Sequence, residues 1–142
     1  MMKPMPKSIP ASLLSLLALS ACASVPGLGC PSGASAAVTD QLYFGTGRPH
    51  GPDVTAQEWS AFVRDEIAPR FPQGFSLLEA QGQWRNADGS IAEERTHLLQ
   101  LVHPDDEANA QAVRAIAERY KARFDQEAVL QVGARACMSL HQ

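Results

Sequence analysis

From Gln41 onward the spacing of apolar residues alternates between strand and helix periods, and each change of period marks an element. Gln41-Leu-Tyr-Phe-Gly45 is a short aromatic-rich run closed by a Gly/Pro loop, which predicts a strand. Thr55-Ala-Gln-Glu58 has the form of a capping box: the Thr55 oxygen accepts from the Glu58 N–H while the Glu58 side chain reaches back. Trp59, Phe62, Val63 and Ile67 then recur at helical spacing as one apolar face, and Pro69 and Pro72 end the helix. Phe75 to Arg85 has strand character but is only half apolar. Asn86-Ala-Asp-Gly89 is turn chemistry, and Ile91 to His103 returns as a strand. Pro104-Asp105-Asp106 opens a second helix, with acids at its positive end, and Ala112, Val113, Ile116, Tyr120 and Phe124 form its core stripe. Ala128 to Val132 is a last strand, which Cys137 to Leu140 can extend.

Strand, helix, strand, strand, helix, strand is an α+β order. Two right-handed crossovers around a hairpin predict a ferredoxin-like βαββαβ plait, an antiparallel sheet with two helices on one face. Such a sheet is expected to turn a polar face to water. This one does not. On the third strand Leu99 and Leu101 point one way while Leu98 and Val102 point the other, and on the second Phe75 and Leu77 oppose Leu78, Ala80 and Trp84. A face left open by the helices and lined by Leu78, Trp84, Leu98 and Val102 reads as a contact surface.

Ahead of the domain the pattern is of another kind. Met1 to Lys7 carries Lys3 and Lys7 and no acid, and Ala11 to Ala21 is a run of Ala, Leu and Ser. A basic head and a short apolar run is the layout of a secretory signal, and the run is about half the ~20 residues a membrane span needs. It ends on Leu19-Ser20-Ala21-Cys22, which resembles the bacterial lipobox; an ordinary signal peptide with an incidental Cys22 is the alternative. The resemblance implies lipidation of Cys22, cleavage before it and a stable multi-chain anchor in the membrane. Ala23, where an aspartate would resemble an inner-membrane retention signal, points to the outer membrane with the domain facing the periplasm. Residues 1–21 are thus expected to be a signal, 22–40 (Ala-, Ser-, Gly- and Pro-rich) a flexible tether, and 41–142 a single domain.

Charge narrows the partners. Without the signal, ten basic residues stand against fifteen acidic ones, a formal charge of −5. No basic stripe is left for nucleic acid. Two thiols remain beside Cys22, and in an oxidising compartment Cys30 and Cys137 are expected to pair; two free thiols are the alternative. The bridge would close a loop of over 100 residues, worth at most roughly 4–5 kcal/mol in the chain-entropy account.

The stretches "LYFG", "EW..F......PRFP.GF", "GQW", "ER", "HP", "YK.RF.QEAVL" and "AC.S" together resemble the domain of unknown function 3574 family, from about Leu42 to Ser139. That resemblance implies no activity.

Candidate chemistry is sparse. Gly45-Thr-Gly-Arg-Pro-His-Gly51 departs from the dinucleotide fingerprint, since its third glycine is late, Pro49 lacks an amide donor and the helix waits until Thr55. Arg48 in that loop is a candidate contact for an anion. His97 and His103 share a face but lie ~20 Å apart at strand rise, too far for one metal ion. Glu93, Arg95 and His97 alternate onto one face and form a candidate row, with His97 as general base. No nucleophile elbow occurs, no catalytic residue is assigned, and neither metal nor cofactor is expected. The function this supports is a binding domain of an envelope lipoprotein, its partner a second copy or another envelope component. A small cofactor-free enzyme resembling the dimeric α+β-barrel monooxygenases and isomerases is the alternative, on fold-level likeness alone.

Overall fold

The computed structural model describes residues 29–85 and 88–141. The signal segment, Cys22, the first part of the tether and Asn86-Ala87 of the hairpin turn lie outside the described residues. The chain forms β1 (Ser35–Gly45), α1 (Ala56–Phe62) prolonged by a π-helical turn (Val63–Ile67), β2 (Ser76–Arg85), β3 (Ile91–His103), α2 (Glu107–Phe124) and β4 (Leu130–Met138). The strands make one antiparallel sheet in the order β2-β3-β1-β4. The fold is therefore α+β, one four-stranded antiparallel sheet with two helices.

Local chemistry sets the helix ends. The Glu58 N–H donates to Thr55 Oγ1 at 3.2 Å, and the Thr55 N–H donates to the Glu58 carboxylate at 2.9 Å, so the capping box forms as expected. Pro69 has no N–H to continue the helical ladder. Just before it the helix widens, and the Ala68 N–H reaches back five residues to the Val63 carbonyl at 2.9 Å. Asp106 caps α2 by accepting from the Asn109 N–H at 2.8 Å. The helix ends on Asp125, which takes a left-handed conformation (φ 54°).

Both helices cover the same side of the sheet. Leu42 and Phe44 from β1 and Leu99 and Leu101 from β3 meet Trp59, Phe62 and Ile67 from the first helical segment and Val113, Ile116, Tyr120 and Phe124 from α2. Phe44 sits at the centre, its ring centroid 4.7 Å from Tyr120, 5.3 Å from Trp59 and 6.1 Å from Phe62.

Two expectations change. β1 begins at Ser35, inside the stretch read as tether, because residues 35–40 are hydrogen-bonded along β4 and, from Val38, along β3 as well. Local composition there is small and polar, so the strand comes from its neighbours and not from its own pattern. β4 is one continuous strand from Leu130 to Met138 and includes Cys137. The Cys30–Cys137 disulfide is formed, with 5.5 Å between the Cα atoms, and ties the segment before β1 to the far end of β4.

The β2–β3 hairpin outruns the rest. Pairing of β1 with β3 stops at Gly45–Thr96, whereas β2 and β3 stay paired to Arg85–Ile91. Gln81–Arg85 and Ile91–Arg95 therefore form a two-stranded ribbon beyond the four-stranded sheet, and none of its residues joins the core.

Candidate functional site

Strand alternation sorts the candidate residues onto two faces. Directly paired residues share a face, so the side of the sheet away from the helices is read from the register. Leu130, Tyr43, Leu98 and Leu78 stand in one row across all four strands. Val132, Gln41, Gln100 and Ser76 form the next row, and Ala134, Thr39 and Val102 the one after. Toward the hairpin come Ala80 with Thr96, Gly82 with Glu94, and Trp84 with Ala92. The candidates Leu78, Trp84, Leu98 and Val102 thus lie where alternation put them. Trp84 is 64% exposed, Leu130 55%, Leu78 49%, Val132 48% and Val102 44%, while Leu98 is half-buried between its neighbours. A shallow depression of about 290 Å³ opens on the same sheet between Gly74, Phe75, Ser76, Gln100 and Val102.

Among the described residues of this face the only charged one is Glu94, and its charge is engaged. The Gly47 N–H donates to Glu94 Oε1 at 2.7 Å. Gly45 lies close against it: a Cβ there would displace the Glu94 carboxylate. On the other side of the same loop Tyr120 donates to the Gly45 carbonyl at 2.9 Å, and Gln126 donates to the Gly47 carbonyl. Burial, with the Glu94 charge adding to it, pushes the Tyr120 phenol well up, which keeps it a donor. Protein groups thus hold the Gly45–Gly47 part of this loop from both sides.

Arg48 is also engaged internally. Its guanidinium donates to Glu58 at 2.7 Å and lies 5.5 Å from the centroid of the Phe124 ring. It joins the first turn of α1 to the end of α2, while its Nε is buried without a partner. The Glu58 carboxyl is lowered to about 2, first by the Thr55 N–H and then by the Arg48 guanidinium and the Thr55 hydroxyl. A lowered value in the folded state means that the stabilisation is full above the ordinary glutamate value of 4.5 and is lost as pH falls toward 2. A side-chain NMR titration should give Glu58 a midpoint near 2 in the native chain and a higher one in Arg48→Gln. An ordinary midpoint in the native chain would contradict the cap-and-tether geometry.

The row of Glu93, Arg95 and His97 lies on the helix side of the sheet, but the three residues do not share one environment. Glu93 and Arg95 are exposed on the overhanging ribbon. Glu93 borders an open depression of about 280 Å³ with Gln81, Gly82 and Gln83, and His97 is not among its lining residues. His97 is buried beneath Trp59, the rings parallel within 3° and 4.3 Å apart, and its Nδ1 is in hydrogen-bond contact with Glu79 Oε1. Its Nε2 is buried without a partner. His103 is buried separately against Asp40. Among the described residues no group of three or more His, Cys, Asp or Glu is placed to hold a metal ion.

Sequence reasoning missed Tyr43, Glu94, Leu130 and Val132 as members of the open face. For Tyr43, Leu130 and Val132 strict alternation carried the signal, once β1 and β4 were known to be adjacent. Glu94 had none, because what selects it is the glycine loop that it meets nearly fifty residues away.

A family described as "Protein of unknown function (DUF3574)" matches residues 39–140. No curated protein matches the chain. Among solved structures it is similar to a phage SAM lyase in complex with S-methyl-5'-thioadenosine, at 17% identity, covering 78% of this chain and 93% of that one, with a TM-score of 0.55. The apo form of a phage SAM lyase matches at 17% identity over the same shares, with a TM-score of 0.52. At that identity the likeness is one of fold.

Proposed function

This chain belongs to the DUF3574 family of proteins of unknown function, and we propose that it is a binding domain whose contact surface is the open face of its sheet. The observation that carries the reading is the row Leu130–Tyr43–Leu98–Leu78, set in a face whose single charged side chain among the described residues is already bonded to the Gly47 N–H. Solvated sheet faces are polar, and an exposed apolar patch with an exposed tryptophan beside it marks a contact.

We place the domain outside the cytoplasm, lipid-anchored through Cys22 at the outer membrane and facing the periplasm, with an envelope protein or a second copy as partner. The Cys30–Cys137 bridge supports that placement, since such bonds persist in oxidising compartments. We also read the topology as a ferredoxin-like plait, on the strength of the element order and of the common layer formed by the two helices. The catalytic alternative has less behind it. His97, the one general base that the sequence offered, lies under Trp59, and likeness to the phage enzyme carries a fold and not an activity.

A photo-reactive amino acid placed at Val102 of the full chain in living cells should give a discrete adduct on illumination. The same group at Arg119, exposed on α2, should give none. No adduct from Val102, or equal adducts from both positions, would overturn the reading.

A further inference from the structure

We infer that the partner of the open face is a second copy of this chain, packed sheet against sheet; this rests on the binding reading above and names its occupant. Three observations select a copy over a different protein. The first is charge. The chain is acidic overall, with a formal charge of −3, so most of its surface repels another copy. The open face is where that repulsion is weakest, because among its described residues Glu94 is the one charged and Gly47 already holds it. A basic partner would find no row of carboxylates here, whereas an identical neutral face is matched by itself.

The second is size. Four strands about 4.8 Å apart and about eleven residues long at ~3.3 Å each give a face of roughly 700 Å². That area, the overhanging ribbon included, comes close to the ~800 Å² that each side of a standard stable interface buries. The apolar row spans the full width of the sheet, so a contact centred on it uses all four strands.

The third is the ribbon itself. Glu94 and Arg95 at its base meet the Thr46–Gly47 loop, but none of its described residues joins the core, and a two-stranded ribbon so placed is marginal in water. Here it carries Trp84, 64% exposed and turned to the open-face side together with Ala92. A two-fold contact is reciprocal, so whatever covers Trp84 and the face in one protomer covers them in both.

Sedimentation equilibrium of the full chain in mild detergent should show a dimer. Leu98→Lys should weaken self-association by about 100-fold or more, because each side would bury an unpaired ammonium, with circular dichroism unchanged. Should Leu98→Lys fail to fold, Val102→Lys makes the same test at a position already 44% exposed in the single chain. A monomeric native chain, or a dimer that persists in a folded Leu98→Lys or Val102→Lys variant, overturns the inference. In cells, an adduct from Val102 with twice the mass of the chain supports a second copy. An adduct of any other mass overturns the second copy and leaves the binding reading standing, and the absence of any adduct removes both.

Discussion

Replacing Cys30 and Cys137 together by serine should be the most destabilising change at the domain's margin, costing at most about 4–5 kcal/mol in the chain-entropy account. The bridge joins residues 107 positions apart, so it closes nearly the whole domain into one loop. What it secures is specific. β4 is an edge strand, paired on one side only with β1, and all but two of its residues are exposed. β1 lies between β4 and β3 and carries Leu42 and Phe44 into the core. Without the bridge, the outer half of the β1–β4 ladder, from Ser35–Met138 to Val38–Arg135, is held by backbone hydrogen bonds and little apolar burial. The aromatic cluster around Phe44 is untouched, so the chain should remain folded and melt at a lower temperature. Hydrogen exchange should show loss of protection in Ser35–Val38 and Arg135–Met138 before any loss at Leu42 or Leu99. Uniform loss across the domain, or no change in melting temperature, would refute this division between a pinned margin and an independent core.

The same division explains what could be read from the chain alone. Where structure follows from contacts a few residues apart, the sequence was legible: the Thr55–Glu58 box, the bounds of β3, and the α2 stripe of Val113, Ile116, Tyr120 and Phe124 all appear as expected. Alternation along β3 also separated Leu98 and Val102 from Leu99 and Leu101 correctly. Where structure follows from distant strands, local pattern was silent. Ala36-Ala-Val-Thr-Asp40 carries no strong strand signal, and it becomes strand because β4, about a hundred residues later, pairs with it. Leu77 shows the converse. It points to the helix side as alternation requires, yet remains 42% exposed, because β2 is the edge strand away from the core. The row of Glu93, Arg95 and His97 shares a face as alternation requires, but not one environment. Face alone does not reveal that Trp59 covers His97 while the ribbon carries the other two away.

Asp40→Leu should cost about 1–3 kcal/mol, the range for leaving a buried polar group without its partner, and the loss should shrink when His103→Leu is added. Asp40 and His103 are 63 residues apart in sequence and both almost fully buried, with Asp40 Oδ2 2.9 Å from His103 Nε2. His103 Nδ1 lies 2.8 Å from the Pro104 carbonyl, which can only accept, so the ring donates there and the Nε2–Asp40 contact shares one further proton. Gln131 donates to the remaining carboxylate oxygen at 2.8 Å. Gly133, directly opposite on β4, makes room, for a Cβ there would lie 2.9 Å from Asp40 Oδ1. Removing the carboxylate alone leaves Nε2 facing a leucine in a dry site beside the Phe71 ring, whose centroid is 5.7 Å from that of His103. Gln131 is exposed and recovers water, so the penalty falls on the histidine. Replacing both partners removes the orphaned nitrogen and puts apolar volume in a core position, a change that is often neutral or stabilising for buried pairs. Chemical denaturation of the two variants decides the matter. If the double variant is less stable than Asp40→Leu alone, the pair contributes net stability to the sheet and its desolvation cost is smaller than argued. If the double variant recovers most of the loss, the pair instead fixes which way β1 and β3 face each other, with the apolar core around Phe44 supplying the stability.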